Sequence, residues 1–191
     1  MSTNLSDMAP RALADAQAIA KRAGVNLRDC YQCGKCSAGC PAAESMDAPP
    51  QQIIRMLQMG MAERALSARA PWLCFQCQTC TERCPQKIDV AALMLAVRRA
   101  SHDAGKRVVP ESDTFENLFI SGVRSRGRSN EQYLAAKYNL ASGHLFQDVA
   151  SAPTMLAKGM IGIAPHSSKN PDAVKRLVDR CAEAARAKGG E

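Results

Sequence analysis

Aromatic side chains are scarce in this 191-residue chain: one Trp, three Tyr and four Phe, 4% of the residues. That leaves little for stacking nucleic-acid bases. The apolar mass is Ala, Leu, Val, Ile and Met instead, a composition that favours helix over sheet. Strand-like alternation is missing. No apolar stretch approaches the roughly 20 residues that span a bilayer; the longest candidate, Val90–Val97, is far too short. Met1–Pro10 lacks a charged region followed by an apolar one, so no secretory signal is read there and a cytoplasmic location is expected. There is no G-x-G-x-x-G for a flavin or nicotinamide, and Gly159 and Gly162, flanking Met160-Ile161, do not fit that pattern. No nucleophile stands with a base and an orienting group.

Cysteine, by contrast, is plentiful. Nine cysteines in a cytoplasmic chain argue for metal rather than disulfides. Eight fall in two runs of one spacing, C-x2-C-x2-C-x3-C-P: Cys30, Cys33, Cys36, Cys40 before Pro41, and Cys74, Cys77, Cys80, Cys84 before Pro85. This spacing is the signature of two-cluster iron–sulfur proteins, in which the fourth cysteine of each run serves the other cluster. The ligand sets expected are therefore Cys30, Cys33, Cys36 and Cys84 for one [4Fe–4S] cluster, and Cys74, Cys77, Cys80 and Cys40 for the other. Zinc is the competing reading, since four-cysteine zinc sites are also built from C-x2-C pairs. Those pairs are separated, however, and do not run three cysteines together before a Cys-Pro.

The formal charge of +7 counts cysteines as neutral. Two oxidised clusters with their eight thiolates bring it to about +3, and two reduced ones to about +1. This weakens any case for nucleic acid, which needs a concentrated basic stripe. The one basic run, Arg124-Ser-Arg-Gly-Arg128, reads as a solvated loop or as a contact for an acidic redox partner. Arg28, Lys35 and Arg83 stand near the first ligand set, whereas neutral Gln76 and Gln78 lie between cysteines of the second run. Positive charge favours the reduced form, so the first cluster is expected to have the higher potential.

Helical signals surround both runs. Residues 1–9 read as a mobile tail. Helices are expected over 10–23, 51–59, 62–68 and from an Asp89 cap to Ala104, with Gly24, Gly60 and Gly105 as stops. All four cysteines shift by 44 residues between the halves, which implies a pseudo-two-fold core with one cluster per half. The predicted fold is all-α: a helical ferredoxin domain over 10–105 and a helical C-terminal extension over 106–191 that docks partners. The extension reads as helices over 114–123, 131–140, 153–163 and 171–188. Cys181 is expected as a buried small apolar residue. His102, His144 and His166 lack metal spacing and are expected to be structural or surface residues.

The segment from Leu27-Arg28-Asp29-Cys30-Tyr31-Gln32-Cys33-Gly34-Lys35-Cys36 to Cys40-Pro41, with Trp72-Leu73-Cys74 through Cys84-Pro85, resembles the C subunit of heterodisulfide reductase. The likeness covers residues 10–105 well and the remainder more loosely. It implies a non-catalytic electron-transfer subunit. Such a protein relays electrons between two partners of the same complex, one carrying flavin and iron–sulfur clusters, the other catalytic and marked by CCG motifs. This chain has no CCG. The Ala- and Arg-rich composition suggests a GC-rich genome and so favours a bacterial complex of this kind. The alternative is an iron–sulfur subunit of a succinate, glycolate or glycerol 3-phosphate dehydrogenase. Those usually carry a plant-type or CCG domain in the same chain.

Overall fold

The computed structural model of the chain describes residues 10–144, 152–158 and 167–188, and the tail expected at 1–9 lies outside them. The described residues are helical, with no strand among them. The chain divides into two compact units between Val109 and Pro110.

The first unit is built on four helices: α1 (Pro10–Arg22), α3 (Pro50–Gln58), α4 (Ala62–Leu66) and α6 (Val90–Asp103). Two one-turn helices, α2 (Lys35–Ala38) and α5 (Thr79–Glu82), lie inside the cysteine runs. Helical periodicity cannot announce elements so short. α1 packs on α3, α4 and α6, and α3 and α4 also touch α6. The core consists of Ile53, Ile54 and Leu57 from α3 with Val90, Leu93, Met94 and Val97 from α6, all almost fully buried. Each such side chain contributes about 1.5–3 kcal/mol relative to leaving it in water. Ser101, also buried, donates its hydroxyl to the Leu66 carbonyl at 2.7 Å and pins α6 to α4.

The expected stops are present. Gly24, Gly60 and Gly105 all have left-handed φ, and the next residue's N–H reaches back over the last turn: Val25 to Ala20, Met61 to Met56, Lys106 to Ser101. Asp89 caps α6 by accepting the Ala92 N–H at 2.9 Å. Between the halves, the Asp47 carboxylate accepts the N–H groups of Arg69 and Ala70, both at 2.8 Å.

The second unit contains α7 (Pro110–Arg126), α8 (Glu131–Ser142), α9 (Ala152–Ala157) and α10 (Pro171–Lys188). α7 extends beyond the expected 114–123 at both ends, and the end of the helix expected over 153–163 lies outside the described residues, as does His166. α7 packs on α8 and α10, with Phe115 stacked on Phe119 and edge-on to Tyr138. Among the described residues of this unit, no apolar side chain is fully buried, and Leu140 is 72% exposed.

Two expectations are corrected here. Cys181 is exposed rather than buried. The apolar face of α10 is only partly covered, and Leu177 one turn earlier is 61% exposed. The basic run is not a free loop either: Arg124 and Arg126 sit in the last turn of α7, where cations suit the helix dipole. Arg124 Nε pairs with Asp179 at 2.6 Å, and the Arg126 guanidinium lies 3.7 Å above the Tyr133 ring.

Candidate metal centres

Each cysteine run folds as a bend followed by one helical turn. In the first run, Gln32 and Gly34 have left-handed φ of 64° and 79°; in the second, Gln76 and Gln78 have 54° and 65°. These reversals curl the chain so that successive cysteines face one concavity. The helical turn that follows is tied to the next long helix by a hydroxyl. Ser37 Oγ accepts the Gln51 N–H at 2.9 Å, and Thr81 Oγ1 accepts the Ala91 N–H at 3.1 Å. Both acceptors satisfy an otherwise orphaned donor at the second residue of a helix. Thr81 also donates to Asp89 Oδ1 at 3.0 Å, so cap and run form one network.

The two runs meet where α2 packs on α5. Cys30, Cys33, Cys36 and Cys84 line one cavity, whose wall is completed by Ile54, Ile88 and Val90. Cys40, Cys74, Cys77 and Cys80 line a second, walled by Pro41, Ala42, Pro50 and Ala91. Each cavity thus takes three cysteines from one run and the last from the other. Apart from Gln32 and Gln51 in the first cavity and Thr79 in the second, the linings are apolar, so sulfur is the soft donor available. A groove of ≈ 880 Å³ beside α1 and α3 has no cysteine in its lining and is separate from this chemistry.

Among the described residues, no three His, Cys, Asp or Glu side chains gather closely enough to hold a single metal ion. Zinc requires ligands converging at roughly 2.0–2.3 Å on one point. Four soft donors around each cavity suit a polynuclear iron–sulfur core. Burial pushes the Cys36, Cys74 and Cys80 thiols up, Cys80 to about 11. At Cys74 the backbone and carboxamide of Gln76 oppose that rise. The Thr79 hydroxyl, 3.4 Å from the exposed Cys77 sulfur, pulls that thiol down. Buried thiols of this kind keep their protons until a metal displaces them.

Several polar groups brace the sites. The Gln58 carboxamide donates to the Leu27 and Cys30 carbonyls, both at 2.8 Å, and accepts from Gln32 Nε2 at 3.0 Å. Gln51 Nε2 donates to the Gln32 carbonyl at 3.4 Å. The Ile88 N–H lies 3.4 Å from Cys84 Sγ, and the Gln32 and Gln76 carboxamides lie 3.5 and 3.3 Å from Cys30 and Cys74 Sγ. By residue type these glutamines pass for neutral spacers, although Gln32 and Gln76 repeat at the 44-residue interval. Arg28, Lys35 and Arg83 are all exposed, where solvent screens their charge. The Arg83 side chain also lies over Gly39, beside Cys40 of the other cavity, and even one methyl group at Gly39 would collide with it.

Residues 26–88 match the family described as the 4Fe-4S dicluster domain. The cysteine-bearing part of this chain is a helical two-cluster ferredoxin. Its eight run cysteines fit two [4Fe–4S] clusters. Among curated proteins, the chain is 34% identical over 82 residues to the C subunit of the H(2):CoB-CoM heterodisulfide,ferredoxin reductase of Methanothermobacter thermautotrophicus, covering 43% of this chain and 44% of that protein. It is 37% identical over 81 residues to the C subunit of the ferredoxin:CoB-CoM heterodisulfide reductase of Methanosarcina mazei, covering 42% and 50%. Over 111 residues it is 31% identical to an Archaeoglobus profundus protein described as like the C subunit of heterodisulfide reductase, covering 58% and 55%. The chain spans about half the length of the curated relatives it matches. Two of these relatives are named as C subunits of heterodisulfide reductases. No helix among the described residues is long and apolar enough to cross a membrane.

Proposed function

We propose that this chain is the electron-transfer subunit of a heterodisulfide-reductase-like complex, relaying electrons from a flavin and iron–sulfur subunit to a CCG-type catalytic subunit. The observation that carries this reading is the pair of cysteine-lined cavities, each completed by the last cysteine of the opposite run. Cys30, Cys33, Cys36 and Cys84 would hold one cluster, and Cys74, Cys77, Cys80 and Cys40 the other. When bound, each cluster supplies a one-electron redox couple. The chain does the rest. α2 against α5 keeps the two sites adjacent, and the apolar side chains of each lining shield the buried Cys36 and Cys80.

Exposed Cys33 and Cys77 leave an edge of each site open. Beside them stand Tyr31 and Phe75, 59% and 71% exposed at equivalent positions of the repeat. Two of the chain's eight aromatic side chains are thus offered at the mouths of the two sites, where aromatic residues suit protein contacts. The incompletely buried apolar side chains of α7–α10 suit the same role for the C-terminal unit.

Two measurements test this. Anaerobically purified protein is expected to be brown, with about eight iron per chain; colourless protein with two zinc would end the electron-transfer reading. Purification from the native source is expected to bring down a flavoprotein and a CCG-containing protein. Partners of the succinate or glycerol 3-phosphate dehydrogenase type would place the chain in a different complex.

A further inference from the structure

Gln32 and Gln76 occupy the same position in the two runs, directly before the second cysteine. Both hold left-handed backbone, which any residue with a Cβ resists. The bend two residues later shows the alternative: it is Gly34 in the first run and Gln78 in the second, at similar φ. The fold therefore accepts glycine at such a bend, yet position 32 and its repeat at 76 both carry glutamine. In both, the side chain does the same thing. Its Nε2 donates to the sulfur of the run's first cysteine, at 3.5 Å from Cys30 and 3.3 Å from Cys74.

The orientation of the first carboxamide follows from its surroundings. Gln58 must turn its NH2 toward two carbonyls, Leu27 and Cys30, so its oxygen faces Gln32. Gln32 must then present NH2, with one hydrogen for Gln58 Oε1 and one for the sulfur. The second half has no carboxamide at the corresponding place. With both helices aligned on their first residues, Arg98 takes the place of Gln58, and its guanidinium lies 5.2 Å over the Trp72 ring.

We infer that Gln32 and Gln76 are sulfur-directed donors that raise the reduction potential of the clusters bound at Cys30 and Cys74, with Gln58 positioning the first of them. This rests on the two-cluster reading. Reduction makes a cluster more negative and its thiolates stronger acceptors. An N–H aimed at the sulfur then stabilises the reduced form more than the oxidised one.

Glycine is the informative substitution, because it removes the donor and relieves the backbone. Full-length, cluster-loaded Gln32→Gly and Gln76→Gly proteins are compared with wild type by redox titration followed by electron paramagnetic resonance. Each variant is expected to keep about eight iron. At a fixed potential, the reduced-to-oxidised ratio of its own cluster should fall about tenfold, ~59 mV for a one-electron couple. The other cluster should move much less. After exchange into D2O, each variant should also lose a deuteron coupled to its own reduced cluster. Gln32→Glu, similar in shape but without the donor, should lower the same potential at least as far. Gln58→Ala should lower the first potential only. Unchanged potentials in fully loaded glycine variants, or equal shifts of both clusters from either one, would overturn the inference. Wild-type protein without iron would instead overturn the two-cluster reading beneath it.

Discussion

Serine in place of Cys84 is expected to cost the protein the cluster bounded by Cys30, Cys33 and Cys36, not the one beside its own run. Cys84 follows Cys80 by one helical turn, yet its sulfur lies in the cavity of the first three cysteines. Serine offers a harder, shorter donor that iron–sulfur sites bind less well. Iron should fall from about eight toward about four per chain, and the spectrum of the cluster at Cys74, Cys77 and Cys80 should survive. Cys40→Ser should produce the mirror image. Iron analysis with Mössbauer spectroscopy separates the two. Damage confined to the second run in Cys84→Ser would mean that each run fills its own site.

Removing iron altogether is expected to destabilise the first unit more than any single side-chain substitution. If the last cysteine of each run crosses over, each cluster links distant segments: residue 36 to 84 in one case, 40 to 74 in the other. Treated like a disulfide that closes a loop of that length, each link withholds about 4 kcal/mol of chain entropy from the unfolded state. For a unit of this size, losing both should lower the melting temperature by roughly 20 °C or more. Trp72 provides a local probe, being the only tryptophan and 5% exposed. Chelation under reducing conditions should shift its emission to the red at temperatures where the loaded protein stays folded. A stripped protein that melts where the loaded one does would show that the α1, α3, α4 and α6 core stands without cross-links.

The long helices were legible because each carries a periodic apolar face and a chemical stop. Gly24, Gly60 and Gly105 could be read as endings, and Asp89 as a beginning, from residue type alone. α2 and α5 could not, since a single turn has no period. The cysteine spacing pointed to iron, because few other chemistries need three thiols two residues apart. The bracing groups were hidden for a different reason. Nothing in the type of Gln32 or Gln76 says that its backbone is left-handed, and nothing in Gln58 says which carbonyls it will meet across α3. Ser37 and Thr81 look like ordinary spacers until the next helix arrives over them. The reading of Cys181 failed because a helical stripe shows which residues share a side, not how far a neighbour covers it.

That exposed thiol gives the chain a way to report its own state. With the eight run cysteines engaged by iron, one sulfhydryl, Cys181, stays open to a maleimide; in stripped, unfolded protein all nine do. Counting labels by mass spectrometry would then grade every preparation by occupancy. The same handle fixes a dye or spin label to α10, away from the cysteine runs in sequence.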